Sequence, residues 1–362
     1  MLKELLRIII AVIFIASGFV KAVDVKGFSF KLEEYFSPSV FNMPFFEHNA
    51  LPIAIFVVII ELLLGFMLLL KIRLKFTLSA LIALCVFFAF LTFYSAYFNK
   101  VTDCGCFGDA IKFTPWQSFI KDIILLVGLV VLYYLYRNDF LKLRPKNPKK
   151  YAALSVFAVV MGMVMLHGVL HEPLIDFRDY KIGTDMKAEK QKISQNPDVY
   201  KTFYVLKNKK TGEEKKVDQD VYVDDRTLWE EGTPWEIMSD KTTSEVVKKG
   251  YSSEISKFRP EDENGNEMSD VIISQPKAYL LFTYKPKEVS AEKLAKAESF
   301  LKNLDKNAPV YGIAPEKGFY KTIPNLVMDE TPIKTIARSN PFVVTLQNGK
   351  IVEKKSLNDM MK

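Results

Sequence analysis

Five apolar stretches, each on the scale of a bilayer, occupy the first half of this chain: Leu5–Val20, Leu51–Leu70, Phe76–Phe98, Trp116–Tyr136 and Tyr151–Leu170. A hydrocarbon core of about 30 Å needs roughly 20 apolar residues of helix. The first stretch is short and follows Lys3 and Arg7, which also suits a signal peptide. Val20-Lys21-Ala22 is a poor cleavage site, so a spanning helix is the expectation. After His171 the composition changes to Lys, Glu and Asp. The 49% hydrophobic content is thus divided between two solvents, lipid and then water. The net charge of +7 is no nucleic-acid signature, because the basic residues of the first half sit in short loops beside apolar runs.

Those loops predict an orientation. Lys71, Arg73 and Lys75 follow the second stretch, and Arg137, Lys142, Arg144, Lys146, Lys149 and Lys150 follow the fourth. The positive-inside rule puts both loops and the N-terminus in the cytoplasm. Five spans then place the loops Asp24–Ala50 and Asn99–Pro115, and everything after His171, outside. Thr114 is expected to cap the fourth helix, with Pro115 in its first turn and Trp116 at the interface.

The outer loop before the fourth helix contains Asp103-Cys104-Gly105-Cys106-Phe107-Gly108-Asp109. Its predicted compartment is oxidising, where disulfides persist. The third thiol, Cys85, lies 19 residues before Cys104, about 28 Å away if the intervening chain is helical. Pairing between Cys104 and Cys106 would close a very small ring, and strained disulfides are the more oxidising ones. Asp103 and Asp109 would disfavour a thiolate. Redox exchange, a local staple and metal binding all remain open on these residues. The metal reading is weakest, since zinc takes four ligands and His48, His167 and His171 are remote in sequence.

Charges inside apolar stretches are costly and so carry information. Glu61 falls mid-stretch and is expected to be protonated or to face a cation within the bundle. Lys21, Lys121 and Asp122 lie near the outer ends of their helices and could converge with it. The plain reading is a buried ion pair that fixes packing. The functional one is a proton path or a quinone-headgroup contact.

Ser17-Gly18-Phe19-Val20-Lys21, Glu61-x-x-x-Gly65 and the Asp103–Asp109 run resemble the DoxX-like membrane family, most closely its methylamine-utilisation branch, the MauE proteins, over roughly residues 1–140. The resemblance implies a four-helix membrane bundle that assists disulfide formation or maturation of an exported partner. The fifth span and the large tail exceed that pattern.

In the tail, Phe203–Asn208 and Glu213–Val217 predict a hairpin around Lys209-Lys210-Thr211-Gly212. Trp229 and Trp235 are expected in a loop, and Asn264-Gly265 in a turn. From there the sequence predicts a strand over Ala278–Tyr284, a Ser290-capped helix to about Leu304, and a strand over Val310–Ala314. Strands Phe342–Leu346 and Ile351–Lys354 follow, joined by an Asn348-Gly349 turn. This succession, with Asn340-Pro341 before the third strand, is similar to the TlpA-like kind of thioredoxin fold. The resemblance implies a cis-proline loop at Asn340 and Pro341 that binds extended chains. Where that family carries a Cys-x-x-Cys pair, this chain has Lys285–Ser290, and its tail has no cysteine at all.

The expected architecture is an all-α membrane bundle, DoxX/MauE-like with a fifth transmembrane helix, carrying a C-terminal α/β thioredoxin-like soluble domain. Its parts are residues 1–140, the bundle; 141–171, a basic loop and fifth span; 172–249, a β-containing connection; and 250–362, the thioredoxin-like domain. The expected function is disulfide exchange with, or maturation of, an exported or envelope protein at a bacterial inner membrane, with Cys104 and Cys106 as the reacting pair. The N-terminus is expected in the cytoplasm and the tail in the periplasm. No metal, nucleic acid or obligate cofactor is expected, although a quinone is compatible. The rival is a non-enzymatic scaffold whose disulfide is structural.

Overall fold

The computed structural model describes residues 1–101, 105, 107–140 and 147–361. Among these residues, five helices are long and apolar enough to cross a membrane. They are α1 (Leu2–Val23), α4 (Ala50–Leu70), α5 (Leu74–Phe98), α6 (Pro115–Tyr136) and α7 (Pro148–Leu170), with α2 (Val25–Phe36) and α3 (Pro44–His48) between the first two. Their outward faces carry Ile9, Val12, Phe56, Phe90, Ile124, Val130 and Val159, all exposed. So apolar an exterior calls for a lipid bilayer as solvent.

The bundle core is layered. Ile10 and Phe14 of α1 meet Leu64 and Leu68 of α4, Leu78 and Leu81 of α5, and Leu125 and Leu129 of α6. Nearer the other end, Val58 and Leu62 of α4 pack with Met161 and Met165 of α7 and with Phe28 and Leu32 of α2. Close approach of α1 to α4 depends on two glycines. A Cβ on Gly18 would stand 2.8 Å from Leu62, and one on Gly65 would stand 3.1 Å from Ile15. Thr114 caps α6 through a reciprocal capping box with Gln117, and Pro115 occupies its first turn. Arg7 donates to the carbonyls of Leu68 and Leu69, adding donors where the end of α4 lacks them. One end of the bundle gathers basic groups: Lys71 pairs with Glu4, Lys3 with Asp139, and Lys150 donates to the Leu70 carbonyl.

The sequence predicts a loop over Asp24–Ala50. Instead α2 runs from Val25 to Phe36, because Val25, Phe28, Ser29, Leu32 and Tyr35 recur on one face and are buried. Asp24 caps it by accepting from the Gly27 amide at 2.9 Å.

The chain divides into two compact units. Residues Met1–Thr184 and Arg259–Lys362 form one, and Asp185–Phe258 the other. The second contains α8 (Met186–Gln195), β1 (Val199–Asn208), β2 (Glu214–Asp218), α9 (Gln219–Asp224), β3 (Trp235–Ile237) and β4 (Thr243–Lys248). β1 is its central strand, antiparallel to β2 on one side and to β3 and β4 on the other. The β1–β2 hairpin turns at Asn208, whose side chain accepts from the Lys210 and Thr211 amides. Trp235 opens β3 rather than lying in a loop. Leu206, Val217 and Leu228 form this unit's small core.

Returning to the first unit, the chain forms α10 (Ser269–Ile273), β5 (Lys277–Phe282), α11 (Ala291–Leu304), β6 (Val310–Ala314), β7 (Asn325–Val327), α12 (Glu330–Ile336), β8 (Phe342–Gln347), β9 (Lys350–Ser356) and α13 (Leu357–Met360). The sheet order is β7-β6-β5-β8-β9. β5, β6 and β7 are parallel, whereas β8 is antiparallel to both of its neighbours, β5 and β9. On one face Leu281, Val310 and Val343 pack against Leu294, Ala297 and Leu301 of α11 and Leu357 of α13. Ser290 caps α11, accepting from the Lys293 amide. β5 stops at Phe282, so Thr283 and Tyr284 lie beyond the strand rather than inside it. The Asn340–Pro341 peptide leading into β8 is cis.

Candidate functional site

The intramembrane charges converge. Lys21 Nζ lies 2.8 and 3.0 Å from the two carboxylate oxygens of Glu61 and donates to Ser17 Oγ at 2.9 Å. Both side chains of this ion pair are about 2% exposed. The ammonium also stands 4.8 Å above the Phe88 ring, a cation–π contact that adds to the pair. Lys121 pairs with Asp122, and Asp122 accepts from Thr92 Oγ1 at 3.2 Å. Cys85 Sγ donates to the Asp122 backbone carbonyl at 3.2 Å. All of these groups except Thr92 line one narrow cavity, which Phe107 also borders. Lys121 sits 5.5 Å over the Phe107 ring. Two cations and two carboxylates thus balance each other at membrane depth, where isolated charge would be prohibitive.

A second charged cluster joins the bundle to its C-terminal sheet domain. Arg338, two residues past α12, aims its Nε at both oxygens of Asp24, 2.9 Å from each. Its Nη2 lies 2.8 Å from Asp24 and 2.9 Å from Asp109. Its Nη1 donates to the Lys334 carbonyl. Glu172, just past α7, accepts from the Arg338 amide at 2.9 Å and from the amide and hydroxyl of Ser339 at 3.1 Å. The second Glu172 oxygen accepts from Arg178, which also grips Asp176 through two bonds. Lys354 of β9 completes the group, 2.7 Å from Asp176. Alongside, Glu33 of α2 pairs with Lys285 and Lys334, and Phe30 meets the Tyr284 ring edge-on at 5.5 Å. Such buried pairs persist only where each charge is matched and hydrogen-bonded.

The titration of this cluster follows from its geometry. Burial pushes the Asp24 carboxyl up, but the Arg338 and Arg178 guanidiniums outweigh burial and hold it below its ordinary value. Glu172 and Asp176 are likewise buried yet depressed, chiefly by Arg178 and Lys354. Lys354 is lowered to about 8, by burial first and by the neighbouring Arg178 second.

Of the residues singled out in the sequence, Lys21, Glu61, Lys121 and Asp122 come together. Asn340 and Pro341 lie on a different element. There Asn340 accepts from the Tyr284 amide and donates to the Lys285 carbonyl, pinning the segment after β5. Cys104 and Cys106 lie outside the described residues. Among those described, no group of three metal-ligating side chains is present. Sequence reasoning passed over Asp24, Glu172, Asp176, Arg178, Arg338 and Lys354. Their one local signal is an acid–base spacing around Asp176-x-Arg178, which any solvated surface also shows.

No curated protein and no solved structure matches the chain. Residues 1–135, from the start of α1 almost to the end of α6, match the family model described as methylamine utilisation protein MauE.

Proposed function

We propose that the chain assists disulfide exchange or maturation of an exported partner at a bacterial inner membrane, with Cys104 and Cys106 as the exchanging pair. The observation that carries this reading is the ion pair from Arg338, three residues before the cis-proline, to Asp109, three residues after Cys106. It ties the sheet domain to Asp109, a residue near Cys106 in sequence. The MauE match over the bundle supports the maturation role. A thioredoxin-like reading of the sheet domain is supported by the order β6-β5-β8-β9, by the parallel β5–β6 pair joined through α11, and by the cis bond ahead of β8. Lacking cysteine, that domain positions rather than reacts. By the positive-inside rule the basic end of the bundle faces the cytoplasm, and Cys104 and Cys106 are read as facing the periplasm.

In the exchange, a partner thiolate attacks one sulfur of the Cys104–Cys106 bond, and the other leaves as a thiolate. The partner's second thiol then attacks the mixed disulfide. The partner departs oxidised, and the pair keeps two electrons and two protons. A quinone or a disulfide-bearing envelope protein must take these to reset it.

Two measurements test the reading. Alkylation of unreduced protein should leave Cys104 and Cys106 unlabelled, and Cys106→Ser or Cys104→Ser should trap a mixed disulfide with an exported protein. Free labelling of both thiols in protein taken directly from an oxidising compartment would refute the resting bond. Two functional serine variants with nothing trapped would favour a scaffold instead.

A further inference from the structure

Helix α2 is used on two sides. Val25, Phe28 and Leu32 pack into the bundle with Val58 and Leu62 of α4. Phe30 and Glu33 meet the sheet domain instead. Glu33 accepts from Lys334 at 3.0 Å and from Lys285 at 3.4 Å. Both lysines also pair with an acid of their own segment, Glu330 and Glu288, each more exposed than Glu33. Phe30 meets Tyr284 edge-on, with the Lys334 ammonium 4.9 Å and the Arg338 guanidinium 5.6 Å from its ring centre. Asp24, which caps α2, takes the Arg338 guanidinium. On the sheet-domain side the face is built from the segment after β5 and the one between α12 and β8. Asn340 ties the two together through the Tyr284 amide and the Lys285 carbonyl. The amides of Arg338 and Ser339 both donate to one Glu172 oxygen. Three cations, an aromatic ring and two carboxylate-bound amides thus share one face. Its occupant is a helix bearing acids and an aromatic, not the extended chain expected beside Asn340 and Pro341.

We propose that this face is a docking surface for an acidic segment carrying an aromatic side chain, and that α2 is its resident occupant. A partner segment of that chemistry reaches the face only in exchange for α2. This rests on the reading that the sheet domain positions a partner. Charge complementarity selects the class of partner: Lys285, Lys334 and Arg338 favour acids and oppose a basic segment. The Phe30 site adds a ring held by cation–π contact. Helix-in-groove docking uses the same combination of an anchor side chain and a matched rim. Release of α2 need not unfold the bundle, because its bundle-facing residues are different ones. The sheet domain leaves and the helix stays. While α2 is seated, a competitor sees only the fraction of molecules in which the face is open, and its apparent affinity falls by that fraction.

The probe is a fluorescein-labelled peptide of residues 24–36, followed by anisotropy against full-length protein in detergent, with empty micelles as the blank. Wild type should bind it weakly. Glu33→Lys in the protein breaks the Lys285 and Lys334 pairs, and it should tighten peptide binding by roughly tenfold or more. Phe30→Ala should act in the same direction. The same peptide carrying Glu33→Lys should lose most of that gain. Hydrogen exchange should place the peptide's protection on residues 284–290 and 338–342. Equal binding by wild type and both variants, equal binding of the two peptides, protection elsewhere, or no binding to either variant would each overturn the proposal. If Glu33→Lys does not fold, Phe30→Ala decides. The peptide has no thiol, so the result is independent of disulfide chemistry. Docking without a trapped partner would refute exchange and leave the surface standing; a trapped partner without docking would do the reverse.

Discussion

At the scale of single residues, the Lys21–Glu61 pair follows from the cost of charge in lipid. Neither group is tolerable alone at that depth, so removing one partner should harm more than removing both. We predict that Glu61→Ala and Lys21→Ala each lose about 3–5 kcal/mol, the usual consequence of stranding one buried charge. The double change to Met should lose clearly less. Thermal unfolding in detergent gives the cycle, and additive losses would contradict coupling. These residues were legible in the sequence because a charge inside an apolar stretch has few acceptable settings. Arg338 and Asp24 were not. They are 314 positions apart, and each lies at or beyond the end of a helix, where a lone Arg or Asp is ordinary.

Among elements, the α1–α4 contact shows what the short sequence motifs are for. Ser17, Gly18 and Lys21 on one helix face Glu61 and Gly65 on the other, so two separate motifs are the two sides of one packing surface. Gly18→Val should press on Leu62 and separate the helices, costing about 1–3 kcal/mol as overpacking does. It should also loosen the Lys21–Glu61 pair, read as faster hydrogen exchange in α1. A variant as stable as wild type would show that the glycine is dispensable. β6 matches the residues expected of it because Pro309 and Pro315 bound a buried run too short for a helix. α2 was hidden by its length. At 12 residues it is too short to span a membrane, and its helical spacing stands out only once spanning ceases to be the question.

For the whole molecule, the clasp around Arg178 and Arg338 makes docking of the sheet domain sensitive to acid. Asp24, Glu172 and Asp176 have carboxyls depressed below their ordinary values. Their stabilisation is complete above the ordinary carboxylate range of about 4 and is lost as pH falls through the lower folded values. We expect protease access to the segment around Arg338 to rise below about pH 4, and Glu172→Gln to move that rise to higher pH. Constant access from neutral to strongly acidic pH would show that the carboxylates do not hold the contact. Composition marks where the chain leaves lipid, near His171, but it carries no sign that residues 172–184 return to the bundle. That return is fixed by ion pairs between distant segments.

The same distances set a schedule for the ribosome. Asp109 is made 229 residues before Arg338, an interval of roughly ten to fifty seconds at about 5–20 residues per second. Throughout it Asp109 and Asp24 exist without the Arg338 guanidinium. The nascent protein therefore carries Asp109 without its guanidinium partner until residue 338 has been made.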